Sequence, residues 1–283
     1  MARPVVEALS TLQLPEFAEF LHRQLDGSRT PDQWAEGLNP SWMQDAPNHG
    51  YVLRDEGRIV GGIGALYASR PVAGRMERFC NITSWCVLDS HRQHSMRLAM
   101  AVVSQKGYHF TDFSPTKTVS GTLQFLKFKP LDDRQVVTLN LPWPGGARLR
   151  LVDESADLRR PLDTASRQAY DDHRGPPWLR HVFIESDGGC CHVIYKQRRF
   201  KGLPAASLLY ASDPTLLRRA WRALAGYFLR RGMVSTRVEW RLLGRAPWPS
   251  HVQSGFVPKV YLSETLDDTQ IDCLYSEQVV LNL

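Results

Sequence analysis

The chain has 283 residues, 43% hydrophobic and 23% charged, with a formal net charge of +6. That composition is globular and long enough for one large domain or two small ones, which excludes a disordered or low-complexity chain. The positive charge suits anionic ligands such as phosphorylated cofactors, nucleotide sugars or acidic glycans; no long Lys/Arg run or aromatic-basic RNA motif accompanies it, so nucleic acid is not favoured as a partner. The five cysteines are odd in number and include no CxxC pair, so neither a disulfide framework nor a zinc site is expected. The first residues lack the apolar core of a secretory signal, and no apolar run is long enough to span a bilayer. A reduced, cytoplasmic protein is the expectation.

A short edge strand is expected over residues 4–7. Leu14, Phe17 and Leu21 then recur at helical spacing, and Thr30 before Pro31 is an N-cap followed by a proline at the first helical position, so two helices follow. Residues 51–53 and 59–67 flank the turn Asp55-Glu56-Gly57 as a hairpin. Gly61, Gly62 and Gly64 lie inside its second strand, which argues for a bulge or a close backbone approach rather than a phosphate loop. Residues 81–100 organise this half. Ile82, Trp85, Val87 and Leu88 make a buried strand, and Asp89 and Ser90 end it. Ser90 with Gln93 reads as a capping box that opens an amphipathic helix closed by Gly107. Free amides at that helix start, with Arg92, His94 and Arg97 in its first turns, suit a phosphate-bearing ligand. A strand over 108–113, then a short helix and a final strand within 114–131, complete the half.

Two prolines and two glycines at 141–146 mark the best boundary. After it the same order restarts, with a strand over 148–154, helical material over 157–175 interrupted at Pro161, and a hairpin over 180–200 turning at Asp187-Gly188-Gly189. A strand over 203–212 leads to a helix capped by Asp213, with Pro214 at its first position, Leu217, Trp221, Leu224 and Phe228 as its buried stripe, and Gly232 after its end. Strands over 234–244, 257–262 and 270–281 finish the chain. Cys190 and Cys191, adjacent in a strand, face opposite sides of the sheet.

The arrangement around Arg92-Gln93-His94-Ser95-Met96-Arg97 resembles the acyl-CoA-binding core of the GNAT (GCN5-related N-acetyltransferase) superfamily. In that family a central strand feeds a turn of pattern R/Q-x-x-G-x-G/A, whose amides hold the pyrophosphate of acyl-CoA. Here the arginine is kept and both glycines are replaced, by Ser95 and Arg97. Of the family's closing N-x-x-A-x-x-x-Y-x-K-x-G-F, Phe128 is kept; Thr116 replaces the asparagine, Leu123 the tyrosine that often protonates the departing thiolate, and Lys127 the glycine. Gly255-Phe256 resembles a second closing G-F.

The resemblance implies an α/β (α+β) fold of two GNAT-like domains, each a mixed twisted sheet flanked by helices. Residues 1–142 would hold the acyl-CoA site, and residues 143–283 would form a degenerate counterpart. Asp213 and Pro214 at the second helix start repel phosphate and remove an amide donor, so the first half is the expected binding half. The implied activity is N-acyl transfer from acetyl-CoA or another acyl-CoA, without metal, by direct attack of an amine on the thioester.

Cofactor contacts would come from Trp85, Cys86 and Val87 on the crossing strand and from Arg92, Gln93, His94, Ser95, Met96 and Arg97 on the turn. Asp112 or His91 would be the base, Ser84 a relay through water, and Ser114 an acid. His91, His94 and His109 lack the further ligand that a metal would need. The stretch is also similar to GNAT-type proteins of bacterial polysaccharide synthesis, which suggests a small-molecule or glycan amine, such as an amino sugar, as acceptor. Two alternatives stand. One is a non-catalytic GNAT-like binding or scaffold protein, which the replaced glycines and tyrosine favour. The other is a tandem-GNAT aminoacyl-tRNA-dependent transferase, a reading without the long charged helical arm such proteins often carry. The sequence does not set the oligomeric state.

Overall fold

A computed structural model describes residues 3–142, 149–153, 158–159, 161–255 and 257–282. β1 (Val5–Ala8) leads to α1 (Leu14–Gln24), which buries Leu14, Phe17 and Leu21. α2 (Pro31–Leu38) starts at a reciprocal capping box, in which the Thr30 side chain accepts from the Gln33 amide and the Gln33 side chain accepts from the Thr30 amide. β2 (Gly50–Asp55) and β3 (Arg58–Val72) form the expected hairpin. A Cβ on Gly62 would stand 2.3 Å from the Phe17 ring, and one on Gly64 would stand 2.8 Å from the Leu38 side chain. These glycines therefore let α1 and α2 lie directly on β3.

β4 (Arg75–Val87), α3 (Ser95–Val103), β5 (His109–Asp112), α4 (Lys117–Phe125) and β6 (Lys129–Pro130) follow. Next come β7 (Gln135–Leu139), β8 (Arg150–Val152), α5 (Thr164–His173), and the hairpin of β9 (Leu179–Ser186) with β10 (Gly189–Phe200). β11 (Leu203–Ala211) precedes α6 (Pro214–Arg230), whose cap Asp213 accepts from the Thr215 and Leu216 amides. β12 (Ser235–Glu239), α7 (Trp240–Leu243), β13 (Ser250–Gln253), β14 (Val260–Leu262) and α8 (Glu277–Val280) end the chain.

The chain forms two compact units, Met1–Leu131 with Val257–Ile271 and Tyr275–Leu283, and Asp132–Phe256 with Asp272–Leu274. The first contains a seven-stranded sheet of order β1-β2-β3-β4-β5-β14-β6, and the second one of order β8-β9-β10-β11-β12-β7-β13. Strand directions match position by position. All described pairs are antiparallel except the fourth with the fifth, β4 with β5 and β11 with β12. Each sheet takes its sixth strand from the other half of the sequence. In the second unit, residues alternate between faces. Val182, Ile184, Cys191 and Val193 pack with the α6 stripe, while Phe183 and Cys190 pack with Tyr170 of α5.

Four expectations change. The division falls at Leu131/Asp132 rather than 142/143, because residues 135–139 pair as β7 with β12 and β13 while β14 pairs with β5 and β6. The strand expected over 234–244 stops at Glu239 and turns into α7, which Gly244 ends at φ 66°. The strand expected over 270–281 is an irregular segment followed by α8. The capping box at Ser90 does not form. Residues Asp89–His94 make a 3-10 turn, the Ser90 hydroxyl bonds the His91 ring instead, and α3 starts only at Ser95. Of the expected linker, strand and helix over 141–175, residues 143–148, 154–157 and 160 lie outside the described residues, as does Phe256.

Candidate functional site

Within the first unit, β4 pairs with β5 at Phe79–Asn81, opposite His109–Thr111, and then runs on to Val87 paired with β3 alone. Its other edge is irregular in the same place, since the register with β3 shifts between Gly62 and Gly64, and Ser84 takes φ 51°, a bulge geometry. The gap that opens holds a cavity of about 250 Å³. Thr83, Ser84 and Trp85 of β4 form one wall, and Asp112, Ser114 and Val119 of β5 and α4 form another. Trp34 of α2 with Asp26 and Arg29 closes a third side. Arg29 is held in place by Asp26 and by the Leu281 carbonyl, 2.8 Å from Nη2.

The lining includes Asp112, and a second acid is its buried neighbour. Asp112, 5% exposed, ends β5; Glu277, fully buried, opens α8. Glu277 Oε1 accepts from the Phe113 amide and the Ser114 hydroxyl, each at 2.8 Å. The Glu277 amide donates to Asn81 Oδ1 at 3.0 Å, and Asn81 Nδ2 donates to Thr111 Oγ1 at 3.1 Å. Burial, and then the neighbouring Glu277 carboxylate, push the Asp112 carboxyl well above the usual carboxylate range. Burial also raises Glu277, against the bonds it accepts from Ser114 and Phe113. Two buried carboxyls side by side resist holding two charges, so the pair keeps a proton where an exposed acid would lose it. Asp112 Oδ1 accepts from the Ser114 amide at 3.2 Å; the cap of α4 is Thr116.

The expected site residues therefore separate. Ser84, Trp85, Asp112 and Ser114 line the cavity. His91 lies outside its lining, with Nε2 3.0 Å from Asp55 Oδ2. On the turn, Arg92 and Gln93 are exposed, and His94, Ser95 and Met96 are half-buried. The amides are fewer than a free helix start would offer, because His91 N donates to Leu88 O and Ser95 N donates to Arg92 O. Arg92 pairs with Asp89 at 2.7 Å, both largely exposed, and its charge pulls against the upward shift that burial gives the Cys86 thiol. Val87 ends the strand between Cys86 and the turn. Arg97 points away, with Nη1 donating to the Pro4 carbonyl at 2.7 Å. His109 bonds Glu77 and Ser263. Among the described residues no group of three His, Cys, Asp or Glu side chains could hold a metal ion, and no helix is long and apolar enough to cross a membrane.

Sequence reasoning missed Glu277, Asn81, Trp34 and Arg29. For Glu277 a signal existed, a single acid in the largely apolar stretch Leu274 to Leu281. The others carried none.

No protein-family model matches this sequence, and no curated protein matches it. Solved structures do. A GCN5-related N-acetyltransferase from Anabaena variabilis matches over 92% of this chain and 72% of its own, at 11% identity and TM-score 0.64. One from Kribbella flavida matches over 92% and 70%, at 14% identity and TM-score 0.59. A GCN5-related glucosamine N-acetyltransferase region of a fungal multi-domain GH3 β-N-acetylglucosaminidase matches over 93% of this chain and 38% of its own, at 12% identity and TM-score 0.55. The strand order, the single parallel pair in each sheet and these likenesses agree: the chain has the fold of the GCN5-related N-acetyltransferases.

Proposed function

We propose that this chain is an acyl-CoA-dependent N-acyltransferase whose reaction takes place in the first unit, in the gap between β4 and β5. The observation that carries this reading is Asp112, buried on the lining of that gap with the Glu277 carboxylate as its neighbour. A carboxyl held above the ordinary range is matched to removing a proton from an amine near neutral pH. Asp112 takes that proton, the amine nitrogen attacks the thioester carbonyl, the C–N bond forms, and the C–S bond breaks to release the CoA thiolate. In this reading the proton that Asp112 takes passes on to the thiolate through the Ser114 hydroxyl, which regains one as it gives one up and donates to Glu277 at rest.

The residues present fit an acyl-CoA in part. The stretch of β4 beyond Asn81, unpaired on its β5 side, offers backbone groups to pantetheine amides, and Arg92 is free of any buried partner to meet a phosphate. An amino sugar is the acceptor we favour. Trp85 offers an apolar face to a pyranose ring, and Asp26 offers an acceptor for its hydroxyls. Glucosamine is also the substrate class named for the fungal region of this fold. In this reading the second unit is a degenerate counterpart, its helix start closed by Asp213 and Pro214.

The test is acetyl transfer from acetyl-CoA to a panel of amino sugars and small amines, with calorimetry of CoA binding in parallel. Asp112→Asn is expected to lower kcat/KM by a factor of about 100 or more while CoA affinity is kept. A wild-type rate for Asp112→Asn removes Asp112 as the base. Absence of CoA binding removes the reading and leaves a binding protein of the same fold.

A further inference from the structure

A second cavity, of about 550 Å³, lies wholly within the second unit. Among the described residues β8 pairs with β9 at Phe183–Glu185, and Leu179, Arg180 and His181 of the first half of β9 line this cavity. Among the described residues three arginines line it, Arg174 after α5, Arg180 on β9 and Arg231 after α6, with one acid, Asp153. Arg231 is already committed, paired with Asp153 and stacked 3.7 Å over the Tyr227 ring, whose hydroxyl also donates to Asp153. Arg174 and Arg180 are exposed and have no side-chain partner among the described residues, which offer their two positive charges no acid.

A second observation points the same way. Tyr195 is 4% exposed and lines the cavity, yet its hydroxyl has no hydrogen-bond partner among the described residues. It sits directly across the β9–β10 ladder from Arg180, and its ring is fixed by an edge contact with Phe228. Its hydroxyl proton is therefore left to a ligand or water at the cavity wall. His181, also on the lining, cannot accept it. Its Nδ1 faces His192 Nε2 at 2.9 Å and its Nε2 faces the His173 carbonyl at 3.3 Å, so both ring nitrogens are used.

We infer that this cavity is a binding site for a small molecule bearing a carboxylate or phosphate group, whose oxygens pair with Arg174 and Arg180 and accept from the Tyr195 hydroxyl. Tyr170, Tyr227 and the proline pair Pro176-Pro177 form the apolar wall for the rest of the ligand. This site is independent of any reaction in the first unit.

The test is calorimetry on the full chain with inorganic phosphate and with citrate as the two probes. Saturable binding of either is expected, weakened about tenfold in each of Arg174→Ala and Arg180→Ala and to a smaller extent in Tyr195→Phe. Preference for one probe identifies the anion as phosphate or carboxylate. Because Arg174 and Arg180 are exposed and unpaired, these variants fold, and circular dichroism checks it. Arg180→Gln, which keeps the side-chain bulk, must show the same loss. Absence of saturable binding of both probes overturns the proposal, and so does binding that all of these variants leave intact.

Discussion

Glu277 Oε1 accepts the backbone amide of Phe113 at 2.8 Å, joining positions 164 residues apart. This bond fixes the last turn of chain after β5, and with it the direction in which Asp112 and Ser114 meet the cavity. The same oxygen holds the Ser114 hydroxyl, and the Glu277 amide holds Asn81 on β4. One acid at the start of a four-residue helix thus ties β4 to β5 just where their pairing ends. Glu277→Ala leaves the Phe113 amide and Ser114 hydroxyl buried without an acceptor, at about 1–3 kcal/mol each. A loss of about 2–4 kcal/mol in urea unfolding is expected, with Glu277→Gln keeping most of the stability. A loss within about 0.5 kcal/mol for the alanine variant would show that the network contributes nothing.

Glu277 also sets the proton affinity of Asp112. Burial raises both groups, and the Glu277 carboxylate raises Asp112 further. Glu277→Gln keeps the burial and removes the charge. If Asp112 is the base, the acid limb of the kcat/KM profile must move to lower pH in this variant, because the carboxyl then ionises more readily. The stability sign follows from the same shift. A carboxyl raised in the folded state contributes stability fully present below its unfolded value, lost as pH rises through the folded value. Asp112→Asn is therefore expected to flatten the decline in stability as pH rises above the ordinary carboxylate range. A decline as steep as wild type, with an unmoved rate profile for Glu277→Gln, would separate Asp112 from both roles.

The second unit should respond to acid in the opposite direction. Burial lowers His181 to about 4, and burial, with His181 and His173 close by to oppose a further positive charge, lowers His192 to about 2. His192 is stacked between Phe183, 4.9 Å away, and His181, 5.2 Å away, with Nδ1 buried and unpartnered. Both rings stay neutral in the fold, while the unfolded chain protonates them below about 6.5. Their contribution is present above the unfolded value and falls with pH below it, by up to about 1.4 kcal/mol per histidine per pH unit. The double variant His181→Phe, His192→Phe, which keeps the ring stack, should lose less stability than wild type when pH is lowered from about 7 to about 5. Equal acid sensitivity would assign that loss elsewhere.

Backbone-level features were legible where local chemistry dictates them. Thr30-Pro31 and Asp213-Pro214 start helices because each supplies a cap acceptor and a residue that needs no amide partner. Gly61, Gly62 and Gly64 were readable as a close approach, and the Phe17 and Leu38 side chains are what approach. The exchange of β7 and β14 between sheets was not readable, since a short apolar run such as QVVTL carries no mark of its partner strand. The same limit hid half of the site. Asp112 stood next to a strand end in the first half of the chain, but Glu277 acquires its meaning only from a contact that the fold creates. The Ser90 box failed because His91 competes for the Ser90 hydroxyl.

Gly62→Ala places a Cβ 2.3 Å from Phe17 Cε2 and 2.8 Å from Cζ, closer than real contacts allow. Phe17 is fully buried and α1 must move to relieve it, at about 1–3 kcal/mol. Adding Phe17→Leu should recover part of that loss, so the double variant should be more stable than the sum of the single effects predicts. Strict additivity in denaturant unfolding would mean that the helix and strand do not press on each other at this point.

Arg92 and Arg97, five positions apart in the turn sequence, should respond differently to CoA. Arg97 Nη1 is engaged with the Pro4 carbonyl at the start of β1, so its guanidinium anchors an edge strand. Arg92 is held only by Asp89, in a pair with side chains 73% and 88% exposed, which solvent screens to about 0–1 kcal/mol. Such a pair opens at little cost, so Arg92 can turn toward a diphosphate while Arg97 cannot without releasing β1. If the turn carries the CoA diphosphate, Arg92→Glu should weaken CoA binding by at least about tenfold, since a charge-assisted bond becomes a repulsion. Arg97→Ala should change affinity by less than about threefold and lower the unfolding midpoint instead. Unchanged affinity in Arg92→Glu would move the diphosphate away from this turn, because the replaced glycines, the spent Ser95 amide and the turned-away Arg97 leave it no other cation.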